Sequence, residues 1–190
     1  TLPHAEEILV IDDHSTDDTA QVAKEAGATV LTNNKHSGYI EALKTGFAYS
    51  GSDIDVIVTM DGDGEHDPND IPNLLSLIEN GSADVVLGAR KEIARPSEKF
   101  LCYIARLRVN VEDCGTGFRA IRKDIAKKLT LKGHCTCGTF VLEAKSLGAN
   151  ITEVPINLRS IDKPRTIAWK HIPQIRFVLK LAFRSFLNLT

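Results

Sequence analysis

The sequence predicts an α/β fold, a mostly parallel sheet flanked by helices and closed by a C-terminal amphipathic helix. Three observations carry that expectation. Short apolar runs at residues 8–11, 28–31, 55–60 and 83–87 are each bounded by turn residues. Segments of helical period lie between them, and two clusters of acids stand where apolar runs end. Buried parallel strands read as continuous apolar runs, and the crossovers that join them are helices. At 190 residues the chain has the length of one domain, or of one domain with a small extension.

Ile8-Leu9-Val10-Ile11 ends at Asp12-Asp13, as a buried strand ends at a loop. Ser15 and Thr16 are expected to cap the next helix, with Asp17 and Asp18 favouring its positive end. Ala20, Val22, Ala23 and Ala26 populate that helix, and Gly27 stops it. Residues 28–31 form a second strand. Gly38 opens a helix with Ile40, Leu43 and Phe47 on one side, closing near Gly51. The apolar run 55–60 leads directly into Asp61-Gly-Asp63-Gly-Glu65-His-Asp67-Pro68. Pro68 suits a first helical turn, Asp67 caps it, and Ile71, Leu74, Leu75 and Ile78 supply a buried face. A fourth strand covers 83–87. The second half is less regular: 91–112 is basic and weakly helical, and Cys114-Gly-Thr-Gly117 is a turn. Helices are expected over 122–129 and 140–147, then a strand over 151–158 whose Pro155 marks an edge or bulge.

A chain 43% hydrophobic and 25% charged excludes disordered and collagen-like classes, and a net charge of −2 argues against a nucleic-acid partner. Cys102, Cys114, Cys135 and Cys137 show no paired C-x-x-C spacing, so free buried thiols in a reducing compartment are expected. His134-Cys135-Thr-Cys137 falls short of the four ligands a structural zinc site uses.

Neighbouring carboxylates repel unless a cation relieves them, and oxygen-only donors favour a hard divalent ion. Asp61 and Asp63, directly after an apolar strand, are therefore candidate ligands for Mg²⁺ or Mn²⁺. An EF-hand is excluded, because His66 stands where that loop needs glycine. His66 is expected to be a solvated loop residue. The order Asp12-Asp13, then Asp61, also resembles a phospho-accepting receiver domain. That alternative lacks a hydroxyl after the next strand, which ends Leu87-Gly-Ala-Arg90.

Six segments in order resemble glycosyltransferase family 2, and within it the polyprenyl- or dolichyl-phosphate sugar synthases. They are Glu7-Ile-Leu-Val-Ile-Asp-Asp-His-Ser-Thr-Asp-Asp-Thr19, Asn34-Lys-His-Ser-Gly38, Met60-Asp-Gly-Asp-Gly-Glu-His-Asp-Pro68, Val85-Val-Leu-Gly-Ala-Arg90, Asp113-Cys-Gly-Thr-Gly-Phe-Arg119 and Glu153-Val-Pro-Ile156. The resemblance implies a GT-A-like catalytic domain over 1–165, with a first βα unit expected ahead of Thr1, and the amphipathic helix in 166–190. It implies metal-assisted, inverting transfer of a hexose from a nucleotide sugar such as GDP-mannose or a UDP-sugar.

Carried over by position, Asp12, Asp13, Ser15, Lys35, Gly38 and Asp61 would bind the nucleotide. Asp61, Asp63 and Glu65 would hold the metal, and Asp61, Asp63 and Asp113 would be catalytic. Arg119 and Arg122 are candidates to hold an acceptor phosphate. A lipid-phosphate acceptor needs no general base, being already ionised, and Asp113 would then orient the Gly115–Gly117 turn. The alternative, a saccharide hydroxyl, needs a base, and Glu112-Asp113 is placed to supply one. From 175 to 187 almost every residue is apolar, yet Arg176, Lys180 and Arg184 recur at intervals of four, a polar stripe continued by Asn188. Opposite it lie Ile175, Val178, Leu179, Ala182, Phe183 and Phe186. This helix is expected at a membrane surface, or else packed on the core. A protein peripheral on the cytoplasmic face of a membrane follows.

Overall fold

The computed structural model describes residues 5–51, 53–93, 95–160 and 170–187. They form two compact units, 1–53 and 54–190, so the division lies inside the region expected to be one domain.

In the first unit β1 (Leu9–Asp12) pairs in parallel with β2 (Thr29–Thr32), connected by α1 (Thr19–Glu25) and followed by α2 (Tyr39–Tyr49). α2 packs on β1 and buries Ile40 and Phe47. The expected cap differs. Helix α1 starts at Thr19, and the Ser15 N–H instead donates to Asp12 Oδ1 at 3.1 Å. Ser15 is thereby held in an Asx turn on Asp12, four residues before the helix, and at the helix start it is Asp17 Oδ1 that accepts the Thr19 N–H at 3.1 Å.

The second unit holds β3 (Val56–Thr59), a 3-10 turn (Pro68–Asp70), α3 (Ile71–Glu79), β4 (Val85–Arg90), α4 (Pro96–Arg106), β5 (Arg119–Arg122), α5 (Lys123–Ala126), α6 (Thr139–Ser146), β6 (Ile151–Ile156) and α7 (His171–Leu187). Its sheet has the order β3-β5-β4-β6. β5 runs antiparallel to both of its neighbours, whereas β4 and β6 are parallel. β3, β4 and β6 therefore share one direction, and β5 is the exception. The helix expected over 122–129 shortens to α5 at both ends: Lys128 and Leu129 turn back on the Ile125 and Ala126 carbonyls at 3.0 and 3.2 Å, and Arg122 is taken into β5. Its backbone groups pair on both sides, which four residues of ambiguous propensity could not announce.

α3 buries Ile71, Leu74 and Ile78 as the period predicts, and Asp67 caps the preceding turn through the Asn69 N–H at 3.0 Å. Leu74, Val85, Val86, Leu87 and Phe118 have no exposed surface. Each such side chain contributes roughly 1.5–3 kcal/mol on burial.

α7 is docked on α4 and α6. Its inward stripe is His171, Gln174, Val178 and Ala182, all buried, while Arg176 and Lys180 are exposed as expected. The side chains of Arg184 and Phe186, and Asn188, lie outside the described residues. The helix packs on the second unit along this one stripe and leaves Ile172 and Phe183 exposed. No described helix is long and apolar enough to cross a membrane.

Candidate functional site

In the first unit, Asp13 organises the loop after β2. Its carboxylate accepts N–H groups from Ser37 at 2.9 Å and Gly38 at 2.6 Å, the Asn33 amide at 2.8 Å, and lies 2.9 Å from His36 Nδ1. Gly38 has φ 90°, a left-handed conformation that costs glycine nothing, and it leads straight into α2. The exposed Lys35 and the buried Asp12 border the same turn. Asp12, Asp13, Ser15, Lys35 and Gly38 are thus brought together, at the carboxyl end of β1.

Partial burial would raise the pKa of Asp13, but hydrogen bonds from Asn33, Ser37 and Gly38, with the charge of His36, lower it below 3.8. The loop's contribution to stability is therefore complete above pH 3.8 and disappears as pH falls through that lower value. The Ser37 and Gly38 amide resonances should hold their positions through pH 3.8 and move only below it. Movement centred above 3.8 would contradict this account.

In the second unit, the acid loop follows β3. Asp61 N–H donates to His66 Nδ1 at 3.3 Å, and Asp63 Oδ1 accepts the Glu65 N–H at 3.0 Å. The Arg159 N–H closes on the Glu65 carbonyl at 2.8 Å. His66 is only 3% exposed, its ring 5.2 Å from Phe118, which corrects the expectation of a solvated histidine. The loop is folded over Phe118, and the imidazole serves as its floor.

Asp61 lies against the Gly115–Gly117 turn. A Cβ on Gly117 would stand 2.7 Å from Asp61 Oδ1, so only glycine leaves room for this carboxylate. Thr59 Oγ1 ties the same turn by donating to the Gly117 carbonyl at 2.8 Å. Asp61, Asp63 and Glu65 offer oxygen donors, which suit a hard divalent cation and not a soft one, but their carboxylates do not converge on one point: among the described residues the group of three whose donor atoms do is Cys135, Cys137 and His171. Gly117→Ala should weaken Mn²⁺ binding at least about tenfold by displacing Asp61, with the far-ultraviolet circular dichroism unchanged. Calorimetric titration showing wild-type affinity would refute the placement.

Asp113, expected from the sequence as a catalytic or turn-orienting residue, belongs to the best-connected group of this unit, whose other members, Arg90 and Glu98, were not among the expected site residues. Arg90, at the carboxyl end of β4, donates from its N–H to Asp113 Oδ2 at 3.0 Å, from Nε to the same oxygen at 2.7 Å, and from Nη2 to Asp113 Oδ1 at 2.7 Å. Nη2 also pairs with Glu98 of α4. Asp113 and Glu98 are 1% and 2% exposed. Burial alone would lower the pKa of Arg90, but Asp113 and Glu98 raise it above its ordinary value, so the guanidinium stays charged. Asp113 also accepts the Gly115 N–H at 3.2 Å. Glu98 fills the space over Gly115, where a Cβ would come within 2.1 Å of its Oε1. The one available signal was the small residue followed by Arg at a strand end.

Beside this network opens a cleft of about 920 Å³. Arg90, Lys91, Lys99 and Arg106 line it with Phe100, Tyr103 and the acids Glu92, Glu112 and Asp113, and Arg106 pairs with Glu112 at 2.9 Å. Phe100, Tyr103 and Leu107 are 50%, 66% and 61% exposed, and their spacing puts them on one face of α4 and its C-terminal turn.

Three expectations need correction. Arg119 is completely buried, stacked 4.3 Å over Phe140 and donating through Nη2 to Thr136 Oγ1 at 2.8 Å, so it meets no acceptor. Arg122 sits at the opposite end of β5 from Arg119, paired in register with Val56 at the start of β3, and it bonds to Asp124 and faces Asp84. An antiparallel strand of four residues carries its last side chain roughly 10 Å from its first, away from the acid loop. Cys102 and Cys114 form a disulfide that joins α4 to the 113–117 turn, so these two thiols are not free and the inference of a reducing compartment loses its basis. Cys135 and Cys137 are free and buried as expected.

Residues 3–142 match the family described as glycosyl transferase family 2. An undecaprenyl-phosphate mannosyltransferase of Micrococcus luteus is 31% identical over 173 residues, 79% of this chain and 70% of the relative. A polyprenol monophosphomannose synthase of Mycolicibacterium smegmatis is 29% identical over 178 residues, 78% of this chain and 65% of the relative. In fold, the chain is similar to glucosyl-3-phosphoglycerate synthase of Mycobacterium tuberculosis. The crystal structure of that protein with Mn²⁺, uridine-diphosphate-glucose and phosphoglyceric acid superposes with TM-score 0.78 at 20% identity, covering 94% of this chain and 69% of that one.

Proposed function

The chain belongs to glycosyl transferase family 2, and from that premise we propose that it transfers a hexose from a nucleotide sugar to a polyprenyl phosphate at a membrane surface. It is a glycosyltransferase with a GT-A-like fold. The observation that carries the acceptor reading is the cleft beside Arg90. There, Lys91 and Lys99, suited to a phosphate, lie beside the exposed rings of Phe100 and Tyr103, suited to an isoprenoid chain or a lipid interface, while Arg90 and Arg106 are met by Asp113 and Glu112. Polyprenyl-phosphate relatives at about this level of identity support it.

Asp12, Asp13, Ser15, Lys35 and Gly38 would receive the nucleotide, Asp13 chiefly by shaping the loop. Asp61, Asp63 and Glu65 would hold Mg²⁺ or Mn²⁺, which when bound supplies a Lewis-acid countercharge to the departing diphosphate. Lys91 and Lys99 take over from Arg119 and Arg122 as the groups that would hold the acceptor phosphate, and Arg90, whose charge is met by Asp113 and Glu98, would shape the wall of the cleft. Asp113 and Glu98 keep Arg90 charged and aimed. With Asp113 buried and bidentate on Arg90, it is poorly placed to take a proton from a sugar hydroxyl. That weighs against a saccharide acceptor.

The test pairs acceptors and donors: polyprenyl phosphate against phosphoglycerate and free saccharides, each with GDP-mannose and UDP-glucose, in Mn²⁺ and in Mg²⁺. Transfer confined to polyprenyl phosphate is expected. Efficient transfer to phosphoglycerate or to a saccharide hydroxyl would overturn the acceptor assignment. Phe100→Ser with Tyr103→Ser should release the protein from anionic liposomes, and unaltered sedimentation with them would place the lipid contact elsewhere. Asp113→Asn should lower activity while leaving the acidic limb of the pH profile in place. Losing a general base would erase that limb and cost about 10²–10⁴ in rate.

A further inference from the structure

Cys135, Cys137 and His171 lie in the second unit, on elements the proposed transfer does not use. Cys135-Thr136-Cys137 precedes α6, and His171 is the first residue of α7. Their three donor atoms lie within 4.8 Å of one another, with His171 Nε2 3.6 Å from Cys137 Sγ. All three residues are buried, at 1%, 5% and 1% exposure. We propose that they bind one thiophilic d¹⁰ cation, Zn²⁺ or Cu⁺, which clips the start of α7 to the loop before α6.

Four features prepare the site. His171 Nδ1 is 2.8 Å from Ser97 Oγ. With Nδ1 protonated and donating to that hydroxyl, the Nε2 lone pair faces the cysteines, the arrangement by which an outer hydrogen bond orients a metal-bound histidine. The cysteine loop is rigid as well. The buried Gln174 Oε1 accepts the N–H groups of His134 and Cys135 at 2.8 and 3.4 Å, while its Nε2 donates to the Cys135 carbonyl at 2.6 Å. Gln174 follows His171 by one helical turn, so a single helix positions both the loop and the third ligand.

The third feature is charge. Arg119 donates to Thr136, between the cysteines, and its buried Nε and Nη1 have no hydrogen-bond partner among the described residues. Two thiolates around Cu⁺ leave a net charge of −1 beside this enclosed guanidinium, and around Zn²⁺ they leave a neutral site whose sulfurs still carry partial negative charge. The fourth is donor chemistry, because two sulfurs and an imidazole suit Zn²⁺ or Cu⁺ and not the hard ion of the acid loop. Two cysteines two residues apart were too few for a site by sequence alone. Folding supplies His171 from 34 residues beyond Cys137. Binding displaces one proton from each thiol to solvent, involves no change of oxidation state, and leaves the imidazole neutral.

The full chain, purified in its Cys102–Cys114 disulfide form, is loaded in turn with Zn²⁺ and with Cu⁺, and bound metal is counted by mass spectrometry of the ions. Co²⁺ exchange reports thiolate ligation through a near-ultraviolet charge-transfer band. One metal per chain is expected, with a raised melting temperature. Cys135→Ser and Cys137→Ser should lose it, Ser97→Ala should weaken it by about 10–100-fold, and Asp61→Asn should retain it. Folded wild-type protein that takes up neither ion and shows no cobalt–thiolate band would overturn the proposal, whatever the variants do. So would metal retained in Cys137→Ser, or a native Cys135–Cys137 disulfide found by mass spectrometry.

Discussion

Asp61→Asn and Asp63→Asn should each weaken divalent-ion-dependent donor binding by at least about a hundredfold, more than the loss of a group that merely orients a ligand. Removing charge from a cluster of like charges relieves repulsion, so the fold should not suffer. Asp63 is exposed and Asp61 half-buried, and substitutions of this kind usually stay within about 0.5 kcal/mol. The melting temperature should shift by no more than about 2 °C. Calorimetric titration of nucleotide diphosphate with and without Mn²⁺ separates the two effects, because metal-independent binding should be untouched. Full Mn²⁺-dependent turnover in both variants would remove these carboxylates from the metal site. The receiver alternative fails in the same samples if acetyl phosphate leaves Asp61 of the wild type unmodified.

Arg90→Met should have the opposite signature, a large loss of stability. It strands Asp113 and Glu98, both almost fully enclosed, without their shared cation. Breaking one side of a buried ion pair costs about 3–5 kcal/mol. For a chain of this length that corresponds to a fall in melting temperature on the order of 10 °C. Arg90→Lys keeps the charge but cannot donate to both oxygens of Asp113 at once, so it should recover part of the stability and less of the acceptor affinity. Scanning calorimetry reads the first quantity and KM for polyprenyl phosphate the second. A Met variant within about 1 kcal/mol of wild type would mean that the carboxylates find other partners.

The two variants divide the second unit's groups by where their information lies in the chain. The order of acids in this loop was legible from the sequence because it is local, whereas Arg159, Phe118 and the Gly115–Gly117 turn that close it come from distant positions. An apolar strand terminates, carboxylates follow at alternate positions, and Asp67 and Pro68 start the next turn. Asp13 and Gly38 each stand beside their own strand or helix end, which a linear reading captures, but the hydrogen bond that joins them spans 25 positions.

The Arg90 network was not legible. It draws Arg90, Glu98 and Asp113 from a strand, a helix and a turn, and nothing in their spacing says that they meet. β5 escaped for a related reason. Its place between β3 and β4 depends on two hydrogen-bonded neighbours distant in sequence, and tertiary pairing overrides a four-residue propensity. Once β5 is inserted, alternation across the strand decides the arginines: Arg119 turns into the core above Phe140 and Arg122 emerges at the far end. His171 and the two cysteines repeat the pattern, since only the docking of α7 on α6 makes them neighbours. Residue type and local order determined what chemistry this chain carries and on which strand ends its acids stand. Burial and long-range pairing, which depend on the whole chain closing on itself, decided which charges face a ligand and which face each other.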